Sequence, residues 1–490
     1  MPNQSTHSDQ TEIKPTAGLY VDMDGALCAT DTLWESLLEI ARSRPLELVK
    51  LPLWLLKGKA GFKRKISDLI LPDIATLPVR PEVVKVIEWY KAAGQPVILA
   101  TAADHRIAQG LADRLTFFDG VLASDGTTNL AGKNKLVAIQ NHAKGKPFNY
   151  LGDSKADICL LAQCQRGYVA GPKESVWRVA VKARGGKEEE LVRLKPESGG
   201  LKSIIKALRP HQWAKNVLIG VPLVVSHQIT HTTALLQTVL AFWAFSLTAS
   251  SVYIVNDLLD LSADRIHPSK RRRPFASGAV SIPTGIFMTL LLLASGLGIA
   301  FGALGVEFGG MILLYIAIST LYSTFLKRKL ILDVFVLAGL YTLRILTGAV
   351  AIHVQPSEWL LAFSMFIFTS LAMLKRYAEL KTWSKLNEKW PMGRRYTTSD
   401  MDLFRSVGAA SSYAAVLVFA LYISSRDILV LYHRPYILWM VCPVMLYWLT
   451  RLWFLTNRNR VLDDPVLFAL TDRASIASGV VVLGLVFAAT

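Results

Sequence analysis

The chain has 490 residues, 52% of them hydrophobic and 19% charged, and 54 Lys and Arg against 37 Asp and Glu give a formal charge of +17. That composition excludes disorder and a collagen-like fibre, and it argues against a wholly soluble enzyme, since soluble domains carry about 25% charged residues. Positive charge suits nucleic acid or anionic lipid; the apolar content decides for the membrane, so no nucleic-acid partner is expected. The four cysteines, Cys28, Cys159, Cys164 and Cys442, make no CxxC pair, which argues against a disulfide framework or a structural zinc site.

Residues 1–16 are polar, have no apolar core of a signal peptide, and are expected to be a flexible N-terminus. Residues 17–185 alternate short apolar runs (18–21, 97–100, 120–123, 148–151, 167–170) with longer mixed segments. The alternation predicts an α/β domain of parallel strands and crossover helices. Residues 186–200, charged and flanked by glycines, read as a linker.

Residues 201–490 read as an all-α polytopic membrane domain. Apolar runs near 217–235, 236–255, 283–302, 308–325, 331–352, 359–374, 407–424, 436–452 and 474–490 predict about nine transmembrane helices. Alternate loops carry most of the positive charge: Arg265 and 270–273; Lys327, Arg328 and Lys329; Lys375, Arg376, Lys381, Arg395 and Arg405; Arg451, Arg458, Arg460 and Arg473. The opposite loops carry Arg426 and Arg434. Positive-inside counting then puts the α/β domain and the basic loops on the cytoplasmic face of the cell inner membrane, with the C-terminus outside.

Asp257, Asp260 and Asp264 follow the second run at spacings of three and four, which on a helix is one face. Three crowded carboxylates call for a cation, and Mg²⁺ bridging to a diphosphate is the simplest partner. The basic run Lys270, Arg271, Arg272 and Arg273 comes next; alone it could anchor to anionic lipid, but beside a carboxylate–metal cluster it suits phosphate. Arg209 and Lys215 flank Trp213 before the first run, as phosphate ligands or as an interfacial anchor. Tyr322 and Lys327 end the fourth run. Asp333 and Arg344 lie within the fifth, where a charge faces a polar cavity or a charged partner. Lys375, Arg376 and Arg395 are further cationic candidates.

In this half, Asn256, Asp257, Asp260 and Asp264 match NDxxDxxxD, and the chain resembles the UbiA superfamily of intramembrane prenyltransferases. Within it, RPxQWxKN (Arg209, Pro210, Gln212, Trp213, Lys215, Asn216) and KRxRP (Lys270, Arg271, Arg273, Pro274) look most like the decaprenyl-phosphate phosphoribosyltransferases. The aromatic branch usually adds a DxxxD after the fourth span; here Asp333 stands alone before Val334, Phe335, Val336 and Leu337. The resemblance implies transfer of 5-phosphoribose from phosphoribosyl diphosphate to a polyprenyl phosphate, a cell wall biosynthesis reaction. Asp257, Asp260 and Asp264 would hold Mg²⁺, with Asp257 and Asp260 catalytic. Asn256, Arg209, Lys215, Lys270, Arg271, Arg273, Tyr322, Lys327, Asp333, Arg344, Lys375 and Arg376 would bind substrate. An aromatic polyprenyltransferase using a prenyl diphosphate, and a transporter or lipid-binding scaffold with a regulatory module, are the competing readings.

In the N-terminal half, Asp22 and Asp24 follow a strand, and two such acids can divide nucleophile and acid/base roles. Thr101, Lys135, and the segment Asp153 to Asp157 likewise fall at or beyond strand ends, where open α/β sheets bind ligands. Order and content resemble the haloacid dehalogenase (HAD) phosphatases, with Ala26 where their DxDGT motif has Thr. The resemblance implies Asp22 as phosphorylated nucleophile, Asp24 as acid/base, Thr101 and Lys135 on phosphate, Asp22, Asp153 and Asp157 on Mg²⁺, and a helical cap over 32–81. A phosphatase fused to a phosphosugar transferase is expected to dephosphorylate its product.

Overall fold

The computed structural model describes residues 15–56, 58–171, 174–195, 199–386, 396–426, 428–460 and 464–490. Most of the expected flexible N-terminus (residues 1–14) and the candidate Arg395 lie outside these residues. The chain forms two compact units, Met1–Ala207 with Ile254–Phe287, and Leu208–Tyr253 with Met288–Thr490.

The first unit is built on a six-stranded parallel sheet: β1 Leu19–Val21, β2 Val97–Asp104, β3 Gly120–Ser124, β4 Asn149–Gly152, β5 Gly167–Ala170 and β6 Leu191–Leu194, in the order β3-β2-β1-β4-β5-β6. Both faces are covered, so the strands are apolar throughout rather than alternating. The two-residue period still sorts them. Leu19, Val21, Val97, Leu99 and Leu151 enter one core, while Tyr20, Ile98, Ala100 and Tyr150 enter the other. Leu19 pairs with Val97 on one side and Asn149 on the other, so β1 lies between β2 and β4. There the strand order reverses, and the crevice beyond the carboxyl ends is where such sheets bind ligands.

The stretch expected as a linker instead supplies the edge strand β6, paired with β5 from Gly167↔Leu191 to Ala170↔Leu194. An edge strand needs only one buried position, here Leu191, so its composition reads as polar loop. Between β1 and β2 the chain inserts the helices Thr32–Ser43, Leu51–Leu55 and Gly58–Leu69. Asp31 starts the first of these by accepting from Leu33 N. The unit is completed by the end of the helix Thr232–Leu259, the short helix Leu261–Ile266, the turn Lys270–Arg272 and the start of the helix Ile282–Ala303.

The second unit is helical. Among the described residues, seven helices are long and apolar enough to cross a membrane, or eight if the pair Pro465–Thr471 and Arg473–Ala489, bent by 81°, is one span. The expectation was about nine. The first expected span, 217–235, is not a continuous helix: a 3₁₀ stretch Pro210–Gly220 and a short helix Val221–Val225 end in a turn before Thr232. Gly220 and Pro222 interrupt the ladder, and His227 takes a left-handed backbone at φ 56°. The helix Leu332–Ala351 packs so tightly on Pro210–Gly220 that a Cβ on Gly348 would collide with the carbonyl oxygen of Ile219.

Candidate active sites

In the first unit, β1 delivers Asp22 to the crevice, where its amide donates to the Leu151 carbonyl at 2.8 Å. The turn that follows is held by Gly25 N to Thr30 O, Leu27 N to Asp22 O and Cys28 N to Met23 O. Gly25 takes φ +79° and backs onto Asp153, whose carboxylate a Cβ would strike, so glycine is required. The Asp22 Oδ1 accepts from Met23 N at 2.8 Å and pairs with Lys135 Nζ at 2.9 Å. Lys135, almost fully buried, also donates to the Tyr150 hydroxyl at 3.1 Å and lies 3.4 Å from Asp157 Oδ1. Asp157 in turn accepts from Tyr150 at 2.7 Å and from the Ser154 amide and hydroxyl at 3.1 and 2.7 Å. Asp24 accepts from Thr32 N at 3.0 Å. Thr101 is fully buried at the bend of β2, and its hydroxyl accepts from Ala103 N.

Burial sets the electrostatics. It pushes Asp22 up to about 6, against the pull of Lys135, and Asp157 adds to the rise. Asp24 is pushed up to about 7, by burial and then by Asp31. Burial also holds Asp153 well above the usual carboxylate range, with Asp22 and Asp157 adding repulsion. Asp157 is lowered, because Lys135, Tyr150 and Ser154 outweigh its burial. Lys135 stays above its ordinary value, because Asp22 and Asp157 outweigh the desolvation that would lower it. A carboxylate beside a proton-carrying carboxyl is the arrangement that nucleophile and acid/base roles require.

Carboxylate oxygens of Asp22, Asp153 and Asp157 all lie within 4.8 Å of one another. An all-oxygen set of this kind suits a hard divalent cation such as Mg²⁺. The group opens on a cavity of ≈ 590 Å³, also lined by Asp24, Lys63, Arg80, Thr101 and Lys135. Lys63 and Arg80 were not singled out in the sequence. Lys63 reaches the Ala102 carbonyl at 2.7 Å, and Arg80 the Gly25 carbonyl at 3.1 Å.

The acidic loop belongs to the same unit. The helix Thr232–Leu259 carries Asn256 and Asp257 in its last turn; Asp260 stands just before the helix Leu261–Ile266, which carries Asp264. Asp257 and Asp264 are buried and bridged by Arg273, whose Nη1 is 3.1 Å from Asp257 Oδ1 and 2.6 Å from Asp264 Oδ2. Among the described residues the trio does not close into a metal-ligating group as Asp22, Asp153 and Asp157 do. Its donor set, carboxylates only, still fits Mg²⁺ chemically. Lys270 and Arg271 are exposed on the following turn. The neighbouring Arg265 was counted only as a charged loop residue. It makes a buried two-pronged bridge to Glu35, at 2.6 and 3.1 Å, and donates to the Ala276 carbonyl at 3.1 Å.

The second unit holds the remaining residues, most of them around Asp464 and Asp333. Lys215 lies 2.5 Å and Lys375 3.4 Å from Asp464 Oδ2, and the Tyr341 hydroxyl donates to the same oxygen at 3.5 Å. Asp464 was missed; its only sequence signal is Asp before Pro465, an N-cap that here accepts from Val466 and Leu467 amides. Arg344 does not pair with Asp333. Its Nε donates to Asn216 at 3.0 Å, and its guanidinium sits over the Phe245, Tyr315 and Tyr341 rings at 5.1 to 5.7 Å. Asp333 pairs instead with Arg376 at 2.7 Å and accepts from the Tyr396 hydroxyl. Arg376 reaches Tyr322 at 2.7 Å and Glu379 at 2.5 Å. Asp333 and Arg376 are almost fully buried, so this network turns inward on itself. Arg209 lies over the Tyr253 ring at 5.7 Å, and Lys327 is half-buried in the turn Leu326–Arg328.

Comparison with known proteins divides the chain by sequence, and the UbiA match takes in Ile254–Phe287, which pack within the first unit. The UbiA prenyltransferase family matches residues 217–472, and the haloacid dehalogenase-like hydrolases match residues 19–162. The chain belongs to the UbiA prenyltransferase family. Its N-terminal half is HAD-like. An uncharacterized protein of Sinorhizobium fredii is 35% identical over 463 residues, 93% of this chain and 88% of that protein. The nodulation protein NoeC of Azorhizobium caulinodans is 36% identical over 58% of this chain and 92% of its own length. The decaprenyl-phosphate phosphoribosyltransferase of Corynebacterium glutamicum is 34% identical over 45% of this chain and 66% of its own length. This UbiA member therefore joins a helical transferase-type half to a phosphatase-type half, as a family of membrane enzymes.

Proposed function

We propose that the chain moves 5-phosphoribose from phosphoribosyl diphosphate to a polyprenyl phosphate, and that its HAD-like half then removes the 5-phosphate. The observation that carries the reading is the pairing of buried Asp257 and Asp264 through Arg273 at the end of a span-length helix. Buried acids held by a cation, followed at once by an exposed basic turn, fit a diphosphate and its counter-ion. The likeness to the Corynebacterium phosphoribosyltransferase supports the choice of substrates.

In the transfer, a lipid phosphate oxygen attacks the anomeric carbon, the bond from that carbon to the diphosphate breaks, and the configuration inverts. The nucleophile is already an anion, so no base is needed; positioning and charge stabilisation carry the catalysis. Mg²⁺, held by Asp257, Asp260 and Asp264 in one half and by Asp22, Asp153 and Asp157 in the other, would supply charge neutralisation at phosphate oxygens. Lys270 and Arg271 bind phosphate, as do Arg209, Lys215, Lys327 and Lys375. Asn256 orients the leaving group, and Arg344, Arg376, Asp333 and Tyr322 shape the substrate-binding region. In the second reaction an Asp22 oxygen attacks the 5-phosphate phosphorus, Asp24 protonates the departing ribose oxygen, and a water deprotonated by Asp24 releases inorganic phosphate from Asp22. Thr101 and Lys135 bind the transferring phosphoryl group. Both reactions are assigned to the cytoplasmic side of the inner membrane.

The test is incorporation of labelled ribose from phosphoribosyl diphosphate into lipid. Asp257→Asn and Asp260→Asn are each expected to lower it by about 10²-fold or more. Incorporation at the parent rate by both variants would refute the assignment.

A further inference from the structure

The phosphatase-type cavity has two chemistries. Part of its lining is ionic, with Asp22, Asp24, Lys135, Asp153 and Arg80. Residues 278–284 and Ile204 also line it, and residues 278–284 contain no charged side chain. We propose that residues 278–284 are the substrate-selecting wall of this cavity and fit it to a phosphomonoester carried on a bilayer lipid, an inference that rests on the phosphatase assignment above.

Three observations carry it. The wall runs directly into a membrane element: Ile282, Pro283 and Thr284 are the first turn of the helix Ile282–Ala303, which is long and apolar enough to cross a bilayer. A molecule that touches them lies against the first turn of a span-length helix, a position that suits a lipid-linked phosphomonoester. The wall is also fixed in place. Gly278 takes φ +73° against Ala29, where a Cβ would collide with the carbonyl oxygen. Arg265 clasps Glu35 and the Ala276 carbonyl together, and Glu35 accepts from Thr30, itself a lining residue. Finally, ≈ 590 Å³ is far more than a phosphoryl group fills and is in the range of sites for larger organic ligands.

The full chain in lipid nanodiscs is given either a polyprenyl-phosphoryl ribose 5-phosphate or free ribose 5-phosphate, and kcat/KM for phosphate release is compared. The lipid-linked substrate is expected to be preferred by about tenfold or more, and Ala279→Trp and Pro283→Asp are each expected to cut that preference by about tenfold. Pro283 is exposed in a first helical turn, where Asp is well tolerated, so the second variant guards against misfolding of the first. Equal kcat/KM for the two substrates, or a preference that neither variant changes, would overturn the inference and leave the phosphatase assignment standing. No release from either substrate, or release by Asp22→Asn at the parent rate, would overturn that assignment and the inference with it.

Discussion

Lys135 joins two buried acids that would otherwise repel each other, Asp22 at 2.9 Å and Asp157 at 3.4 Å. Replacing it with Ala leaves that charge uncompensated and removes the cation proposed to bind the phosphoryl group. Lys135→Ala is expected to slow phosphate release by about 10²–10³-fold; a loss under about threefold would contradict the role. The carboxylates also predict a pH dependence. Asp22 and Asp24 ionise near 3.8 when unfolded but are held at about 6 and 7 in the fold, so the folded state keeps protons that the unfolded chain releases. Their stabilisation is fully present below the unfolded value and is lost as pH rises through about 6 and 7. Asp22, Asp153 and Asp157 would hold Mg²⁺, which would supply the neutralising charge in place of those protons. The rise in melting temperature on adding Mg²⁺ to chelator-treated protein is therefore expected to be larger at about pH 8 than at about pH 5. An equal rise at both would contradict this electrostatic picture.

Local pattern made some elements legible and hid others. Five strands could be read because each contains an apolar run, and β1, β2 and β4 also carry a chemically marked residue at or after that run, Asp22, Thr101 and Asp153. The sixth could not, since only Leu191 of β6 is buried and the rest resembles a solvated loop. The helical count failed at 217–235, where Pro222, Gly220 and the polar turn at His227 outweigh average hydrophobicity. Contacts between distant positions were invisible: Arg265 and Glu35 are 230 positions apart, and Lys375 meets Asp464 from 89. Such pairs carry testable energy. Both Arg265 and Glu35 side chains are less than one-tenth exposed, so Arg265→Ala strands a buried carboxylate. It is expected to destabilise the unit by about 3–5 kcal/mol in denaturant melts; a change below about 1 kcal/mol would mean the clasp is relaxed in solution. Gly348→Ala forces the helix Leu332–Ala351 away from Ile219 and is expected to cost about 1–3 kcal/mol. An unchanged melting temperature would contradict that close packing.

At the scale of the whole chain, a UbiA domain and a HAD-like domain share one polypeptide, and motif order points to both: acids at strand ends in one part, acids spaced by three and four after an apolar run in the other. The motifs could not reveal that Arg273, rather than repulsion alone, organises Asp257 and Asp264, or that residues of the UbiA half line the phosphatase-type cavity. The two halves are proposed to act in sequence on one lipid. The decisive measurement is the mass of the lipid formed when the full chain meets Mg²⁺, phosphoribosyl diphosphate and polyprenyl phosphate. The parent is expected to yield polyprenyl-phosphoryl ribose, and Asp22→Asn the same lipid heavier by one phosphoryl group. Identical product masses from the two proteins, or a lipid without ribose, would contradict the claim.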